Sequence, residues 1–85
     1  MSRHHIEQCV RQSLDNYFQD LDGSKPHDVY EMVISCVEKP MLEVVLKQAE
    51  GNQSLAAEFL GINRNTLRKK LLEYGIDAST VRRSA

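Results

Sequence analysis

Apolar residues recur every three or four positions along most of this 85-residue chain, a spacing typical of amphipathic helices. The pattern predicts a first helix over residues 6–21, in which one stripe contains Ile6, Val10, Leu14, Phe18 and Leu21. Asp28, with Glu31 three residues later, resembles a capping box with Asp in the cap role. A second helix is therefore predicted to begin directly after Asp28.

The second predicted helix contains a proline, Pro40, within a long apolar stripe. The stripe consists of Val29, Met32, Val33, Cys36, Val37, Met41, Val44, Val45 and Ala49. Because proline removes one backbone hydrogen bond and clashes with the preceding turn, it either kinks a helix or splits it in two. The apolar period continues across Pro40, which favours a kink. Gly51 is predicted to stop this helix.

Two short helices are predicted after Gly51. Asn52 is a predicted N-cap for a helix over residues 53–60, and residues 61–63 form a turn. The fourth helix covers residues 64–73 and is closed by Gly75. The sequence contains no β-type alternation, so the predicted fold class is all-α.

The last two helices have the residues that a helix-turn-helix requires. Ala57, Gly61 and Leu67 supply the small residue, the chain reversal and the inner apolar contact. Helical spacing places polar and basic side chains outward or toward the start of the fourth helix: Asn63, Arg64, Asn65, Thr66, Arg68, Lys69 and Lys70. Such side chains suit base edges and phosphates, so the pattern favours DNA binding over a merely solvated surface.

Charge and composition support a small nucleic-acid-binding domain that needs a partner. Residues 1–60 carry five basic and ten acidic residues, whereas residues 61–85 carry six basic and two acidic ones. A chain of this size buries only about 60% of its unfolded surface, which favours oligomerisation. Cys9 and Cys36 lie in apolar helical patterns and are expected to be reduced, buried thiols. The sequence predicts neither a membrane span nor a secretory signal, so a cytosolic protein is expected.

The same residues carry a family resemblance. Residues 51–57 (GNQSLAA) and 60–71 (LGINRNTLRKKL) resemble the DNA-binding element of the Fis family, named after the factor for inversion stimulation. Upstream, the segments NYF, DVYEMV and VEKPML, at residues 16–18, 28–33 and 37–42, are similar to the first two helices of that family.

The resemblance implies a homodimer whose two long helices per subunit build a four-helix core, with a helix-turn-helix at either end. It divides the chain into dimerisation helices at residues 1–51, a DNA-binding element at residues 52–76 and a flexible tail at residues 77–85. In this family the recognition helices lie too close together for straight DNA, so the duplex bends and its deformability contributes to site preference.

Individual roles follow from the resemblance position by position. It implies major-groove contacts by Asn63, Arg64, Thr66 and Lys69. It implies phosphate contacts by Asn52, Ser54, Arg68 and Lys70. No catalytic residue, metal or cofactor is implied. The expected protein is a nucleoid-associated transcriptional regulator in the bacterial cytoplasm.

The implied partners are double-stranded DNA and a second copy of the chain, with RNA polymerase as a further candidate. Only residues 1–5 precede the first helix, where relatives have a hairpin that touches DNA invertases, so recombinase contact is not expected. Glu50 stands where relatives tend to be basic and where the family contacts RNA polymerase. Arg82 and Arg83 in the tail have no role that the resemblance assigns.

Two alternatives stay open at the level of the sequence. One is the DNA-binding domain of an NtrC-type enhancer-binding activator, in which a similar helix-turn-helix follows an ATPase domain. An initiating Met1 and the lack of a P-loop favour a stand-alone protein instead. The other alternative is a helical adaptor dimer that does not bind DNA. The sequence has no recognisable spacing of nucleophile, base and orienting group, so no enzyme is predicted.

Overall fold

The computed structural model describes residues 3–77, and within them the secondary structure consists of four helices and no strand. The helices are α1 (Arg3–Leu21), α2 (Val29–Gln48), α3 (Gln53–Leu60) and α4 (Arg64–Glu73). The predicted all-α class is confirmed, and α1 begins three residues earlier than its apolar stripe. The predicted tail lies outside the described residues except for Asp77. By its internal contacts the chain divides between Tyr30 and Glu31 into two compact units.

Helix α1 belongs to the first unit, and none of its described residues is buried. Its predicted end is confirmed, because Asp22 and Gly23 adopt φ values of +47° and +92° that a right-handed helix cannot continue through. The rings of Tyr17 and Phe18 pack edge to face with their centroids 5.4 Å apart. The apolar stripe of α1 is therefore not buried within the chain: Ile6 and Phe18 are about half accessible to solvent, and Val10, Leu14 and Leu21 are only partly buried.

Helix α2 begins where it was predicted to begin, but the predicted capping box is wrong. Asp28 has a φ of +53° rather than the extended backbone of an N-cap. Its carboxylate accepts instead from Nδ1 of the neighbouring His27, at 3.2 Å. The helix then continues through Pro40 to Gln48, which confirms one helix rather than two.

Helix α2 has two apolar faces, and the predicted stripe described only one of them well. The buried residues of α2 are Leu42 and Leu46, followed by Ala49 just after the helix, and the predicted stripe omitted both leucines. Val37, Met41 and Val44 from the stripe are 41–59% exposed instead. When a helix carries apolar residues on two sides, the apolar spacing is compatible with burial of either side. Spacing alone therefore could not predict which face of α2 is buried.

The core of the second unit joins the end of α2 to α3 and α4. Seven hydrophobic residues are buried: Leu42, Leu46, Ala49, Ala56, Ala57, Leu67 and Leu71. Two alanines on α3 let the facing helices approach closely. Cys9 and Cys36 do not belong to this core. Both are exposed, so the prediction of buried thiols is wrong for the chain as it stands.

The three helix ends of the second unit share one hydrogen-bond pattern, in which a residue with positive φ reverses the chain. Gly61 and Gly75 occupy this position after α3 and α4, with φ values of +75° and +67°. After α2 the position is taken by Glu50, with a φ of +54°. There the amide of Gly51 donates to the carbonyl of Leu46 at 2.9 Å, which closes a Schellman motif. The stop thus begins at Glu50, one residue before the predicted Gly51.

None of the helices within residues 3–77 combines the length and the apolar content needed to cross a membrane.

Candidate nucleic-acid interface

The turn between α3 and α4 has the predicted helix-turn-helix construction. Gly61, in the left-handed region, donates its amide to the carbonyl of Ala57 at 2.8 Å, and Ile62 donates to the same carbonyl at 3.1 Å. Ala57 and Leu67 are both buried on the inner sides of their helices. The chain therefore reverses within three residues, and α4 presents its other side to solvent.

Both helices of this element begin at an asparagine cap. The Oδ1 of Asn52 accepts from the amide of Leu55 at 3.1 Å. The Oδ1 of Asn63 accepts from the amide of Asn65 at 2.7 Å. These oxygens satisfy amides that a helix start would otherwise leave without partners. The part of each side chain suited to DNA is consequently its amide N–H₂ group, which donates to phosphate oxygens or to acceptors on base edges.

Two predicted site residues from different helices lie together. The Nη1 of Arg64, at the start of α4, donates to the Oγ of Ser54, in the first turn of α3, at 3.2 Å. Both residues are exposed. A guanidinium has five N–H donors, so one bond to serine orients the group and leaves others for bases or phosphates. The structure thus places a predicted base-reading side chain beside a predicted phosphate contact.

The remaining outward residues of α4 are placed as the helical spacing predicted. Thr66, Arg68 and Lys69 are exposed, whereas Leu67 and Leu71 are buried on the inner side. Leu72 also lies on the outer side and is 76% exposed. Together with Asn63, Arg64 and Asn65, these residues form the exposed face of α4. This face combines two arginines and a lysine with short polar donors, a composition suited to contacts with phosphates and with the edges of bases.

Lys70 is the exception among the eight predicted site residues. Its Nζ lies 2.8 Å from Oε2 of Glu38 on α2, and the two side chains are only 32% and 18% exposed. The hydroxyl of Tyr74 donates to the other carboxylate oxygen, Oε1, at 2.5 Å. The structure therefore gives Lys70 a carboxylate partner within the fold, where the sequence predicted a phosphate of DNA.

The cluster of Glu38, Lys70 and Tyr74 also changes how two of its members titrate. The hydrogen bond from Lys70, followed by that from Tyr74, holds the pKa of Glu38 below its ordinary value. The hydrogen bond to Glu38 raises the pKa of Tyr74 to about 12. Both shifts have the same cause, because the cluster favours an ionised carboxylate next to a neutral phenol.

The sequence analysis did not identify Glu38 and Tyr74 as partners of Lys70. Their positions are nevertheless compatible with helical spacing. Glu38 lies one turn before the buried Leu42 on α2, and Tyr74, the C-cap of α4, comes four residues after Lys70. An acid on one helix and a lysine–tyrosine pair on another become partners only once the two helices are known to pack. Among residues 3–77, no group of three or more His, Cys, Asp or Glu side chains is arranged to hold a metal ion.

Comparison with known proteins agrees with this geometry. Residues 34–74 match the family model described as bacterial regulatory protein, Fis family. A Fis-like DNA-binding protein of Ralstonia nicotianae is 59% identical over 76 residues, which are 89% of this chain and 99% of that protein. A Fis-like DNA-binding protein of Neisseria meningitidis serogroup A is 56% identical over 71 residues, covering 84% and 90% of the two chains. The DNA-binding protein Fis of Actinobacillus succinogenes is 52% identical over 71 residues, covering 84% and 72%.

Proposed function

The chain belongs to the Fis family of bacterial regulatory proteins, and we propose that it is a homodimer that binds and bends double-stranded DNA. The relatives from Ralstonia and Neisseria are named as DNA-binding, and their similarity extends over most of this chain. The proposed role is that of a nucleoid-associated transcriptional regulator in the cytoplasm, with no enzymatic activity and no cofactor.

The exposed face of α4 is the observation that carries the proposal. Its side chains point away from a core that contains Leu67 and Leu71, so binding a duplex requires no rearrangement of the helix. Asn63, Arg64, Thr66 and Lys69 are assigned to base edges in the major groove. Asn52, Ser54 and Arg68 are assigned to phosphates, which fix register and orientation. Lys70 is left out of the phosphate set because Glu38 already pairs with it.

Dimerisation is supported by the exposed apolar face of α2. This face consists of Val37, Met41 and Val44, which recur at helical spacing on the side away from the buried leucines. A contiguous apolar patch of this kind on a small protein typically marks an interaction surface. A second copy is the proposed occupant, because both copies then cover the same patch in an isologous contact. Two recognition helices act together in such a dimer.

DNA bending follows from the family geometry of closely spaced recognition helices. Sequence preference then depends largely on how easily a site deforms. Polymerase contact is not part of the proposal, since Glu50 places an acidic side chain at the relevant turn. An NtrC-type activator domain is not favoured, because the Ralstonia relative is matched along 99% of its length and has no room for an ATPase domain.

A gel-shift titration with circularly permuted fragments of an AT-rich site tests both binding and bending. The expected result is salt-sensitive binding with a mobility that depends on the position of the site in the fragment. Equal mobility of all permuted complexes would contradict bending, and no shift at micromolar protein would contradict DNA binding and favour the helical adaptor.

Arg64→Ala connects that result to the exposed face of α4. It is expected to weaken specific binding by at least about tenfold, the effect typical of a lost base contact. Arg11→Ala, in the exposed part of α1, removes the same charge elsewhere and is the matched control. Ser54→Ala removes only the hydroxyl that orients Arg64 and should cost less. Equal losses for Arg64→Ala and Arg11→Ala would remove Arg64 from the site.

A further inference from the structure

One polar cluster joins α2 to α4 beside the buried core. Glu38 uses both carboxylate oxygens, with Oε2 bound to the ammonium group of Lys70 and Oε1 to the hydroxyl of Tyr74. Glu38 is one helical turn from Leu42, so the cluster extends the same face of α2 that packs against the helix-turn-helix. The carboxylate is mostly shielded from solvent, with 18% of its side chain exposed.

The geometry of the cluster constrains α4 in a way that the core does not. Apolar contacts of Leu67 and Leu71 favour burial but are non-directional, so they tolerate small rotations of the helix about its axis. Hydrogen bonds require defined distances and angles. Because Lys70 lies in the last turn of α4 and Tyr74 is its C-cap residue, Glu38 holds the helix at two points four residues apart. This fixes both the rotation and the tilt of the helix on α2.

We propose that Glu38 and Tyr74 are positioning residues for the recognition helix and that Lys70 is their internal partner, not a phosphate contact. The proposal rests on the DNA-binding function above. Helix α2 also carries the exposed face assigned to dimerisation, so a fixed angle between α2 and α4 sets the direction in which each recognition helix meets DNA. Lys70 therefore helps to orient α4 and contributes little to the release of counterions from DNA on binding.

A charge-neutral double variant separates the two roles of Lys70. Glu38→Gln with Lys70→Met leaves the net charge unchanged, and the glutamine still accepts from Tyr74. The readout is the slope of log affinity against log salt concentration on one AT-rich duplex. If Lys70 bound a phosphate, the slope would fall by about 0.9 for each recognition helix. An unchanged slope is expected. Arg68→Met, in the proposed phosphate set, is the positive control and should lower the slope by that amount.

Glu38→Gln alone gives an independent test with an isosteric side chain that preserves folding. Losing the carboxylate removes one negative charge beside Lys70 and makes this part of the surface more positive, so the salt slope is expected to become steeper than that of the wild type. A slope equal to that of the wild type would contradict the proposal, as would a lower slope for the double variant.

Positioning predicts a further effect on specificity. Glu38→Ala removes the acceptor for the side chains of Lys70 and Tyr74, and the ratio of specific to nonspecific affinity is expected to fall about tenfold, the loss typical of a charge-assisted hydrogen bond. Glu38→Gln should retain most of that ratio. Equal ratios in Glu38→Ala and the wild type would overturn the positioning role. If the wild type shows no salt-sensitive binding, the DNA-binding function fails and this proposal fails with it. If the wild type and Arg68→Met behave as expected, a failure concerns Lys70 and Glu38 alone.

Discussion

Residues 42–77 contain seven buried hydrophobic side chains, whereas the described residues before Leu42 contain none. The earlier part is no less apolar in pattern, yet several of its large apolar side chains are exposed, from 41% for Met41 to 77% for Tyr30, and the others are only partly buried. The same helical periodicity thus produces a closed core in one region and an uncovered face in the other. A stripe of apolar residues shows that a surface must be covered, and only the fold shows whether the same chain covers it.

The largest effect is expected from a charged side chain on the exposed apolar face of α2. Val44→Glu introduces a carboxylate into the proposed dimer contact, where it would be desolvated without a partner. We expect a cost of several kcal/mol and a dimer Kd raised at least about a hundredfold, measured by sedimentation equilibrium. Lys39→Glu puts the same residue on another side of α2 and should leave the Kd nearly unchanged. Equal behaviour of the two variants would show that this face is not the interface.

Two leucines on α4 sharpen the contrast within a single helix. Leu67 is fully buried and Leu72 is 76% exposed. Leu67→Ala removes core contacts and is expected to lower the free energy of unfolding by about 3 kcal/mol. Leu72→Ala should change it by less than about 0.5 kcal/mol. Denaturant unfolding of both variants at one protein concentration checks this, and a large loss for Leu72→Ala would show that the outer side of α4 is covered.

The helix ends of the second unit allow a smaller test. Glu50 and Gly61 occupy equivalent left-handed positions, with φ values of +54° and +75°. Glu50→Gly is expected to stabilise the fold by about 0.5–1 kcal/mol, because glycine adopts positive φ without a steric penalty. Gly61→Ala should destabilise it by about 1–2 kcal/mol for the opposite reason. Thermal unfolding measures both changes, and a destabilising Glu50→Gly would reveal a contact of the glutamate that outweighs its backbone conformation.

The smallest expected effect is a dependence of stability on pH. The pKa of Glu38 is lowered in the fold by Lys70 and then by Tyr74, so its contribution is present above the ordinary value of 4.5 and is lost as the pH falls. The stability difference between the wild type and Glu38→Gln should therefore vanish on acidification below pH 4.5.

The pKa of Tyr74 shifts in the opposite direction, so its contribution to stability is lost at high pH. Its pKa is raised from 10.0 to about 12 by Glu38, with Glu73 adding a weak repulsion of the phenolate. Its contribution should persist below pH 10.0 and disappear as the pH approaches 12, and Tyr74→Phe should flatten this alkaline loss. Unfolding curves across both pH ranges check the two variants. A difference that is constant with pH would show that the cluster does not form in solution.

The helix-turn-helix was predictable from the sequence because its determinants are local. Asparagine caps and left-handed glycines fix the bounds of α3 and α4 within a few residues of themselves, and the predicted ranges are confirmed. The exposure of Arg68 and Lys69 followed from the same spacing.

The features that could not be predicted from the sequence depend on contacts between helices. The choice between the two apolar faces of α2 depends on which face meets α3 and α4, so Leu42 and Leu46 were missed. The ion pair between Lys70 and Glu38 could not be predicted from the pattern, because the two residues are more than thirty positions apart in sequence. The predicted capping box at Asp28 is wrong because Asp28 itself has a φ of +53°, and an N-cap requires an extended backbone.

The central claim is that the exposed apolar face of α2 pairs two copies of the chain, so that two recognition helices act on one duplex. The number of chains bound to one DNA site tests this claim most directly. Native mass spectrometry of the protein with a short duplex containing a single AT-rich site gives this number without a label. Two chains per duplex are predicted for the wild type, with a marked loss of complex for Val44→Glu. One chain per duplex, bound equally well by Val44→Glu, would contradict the account.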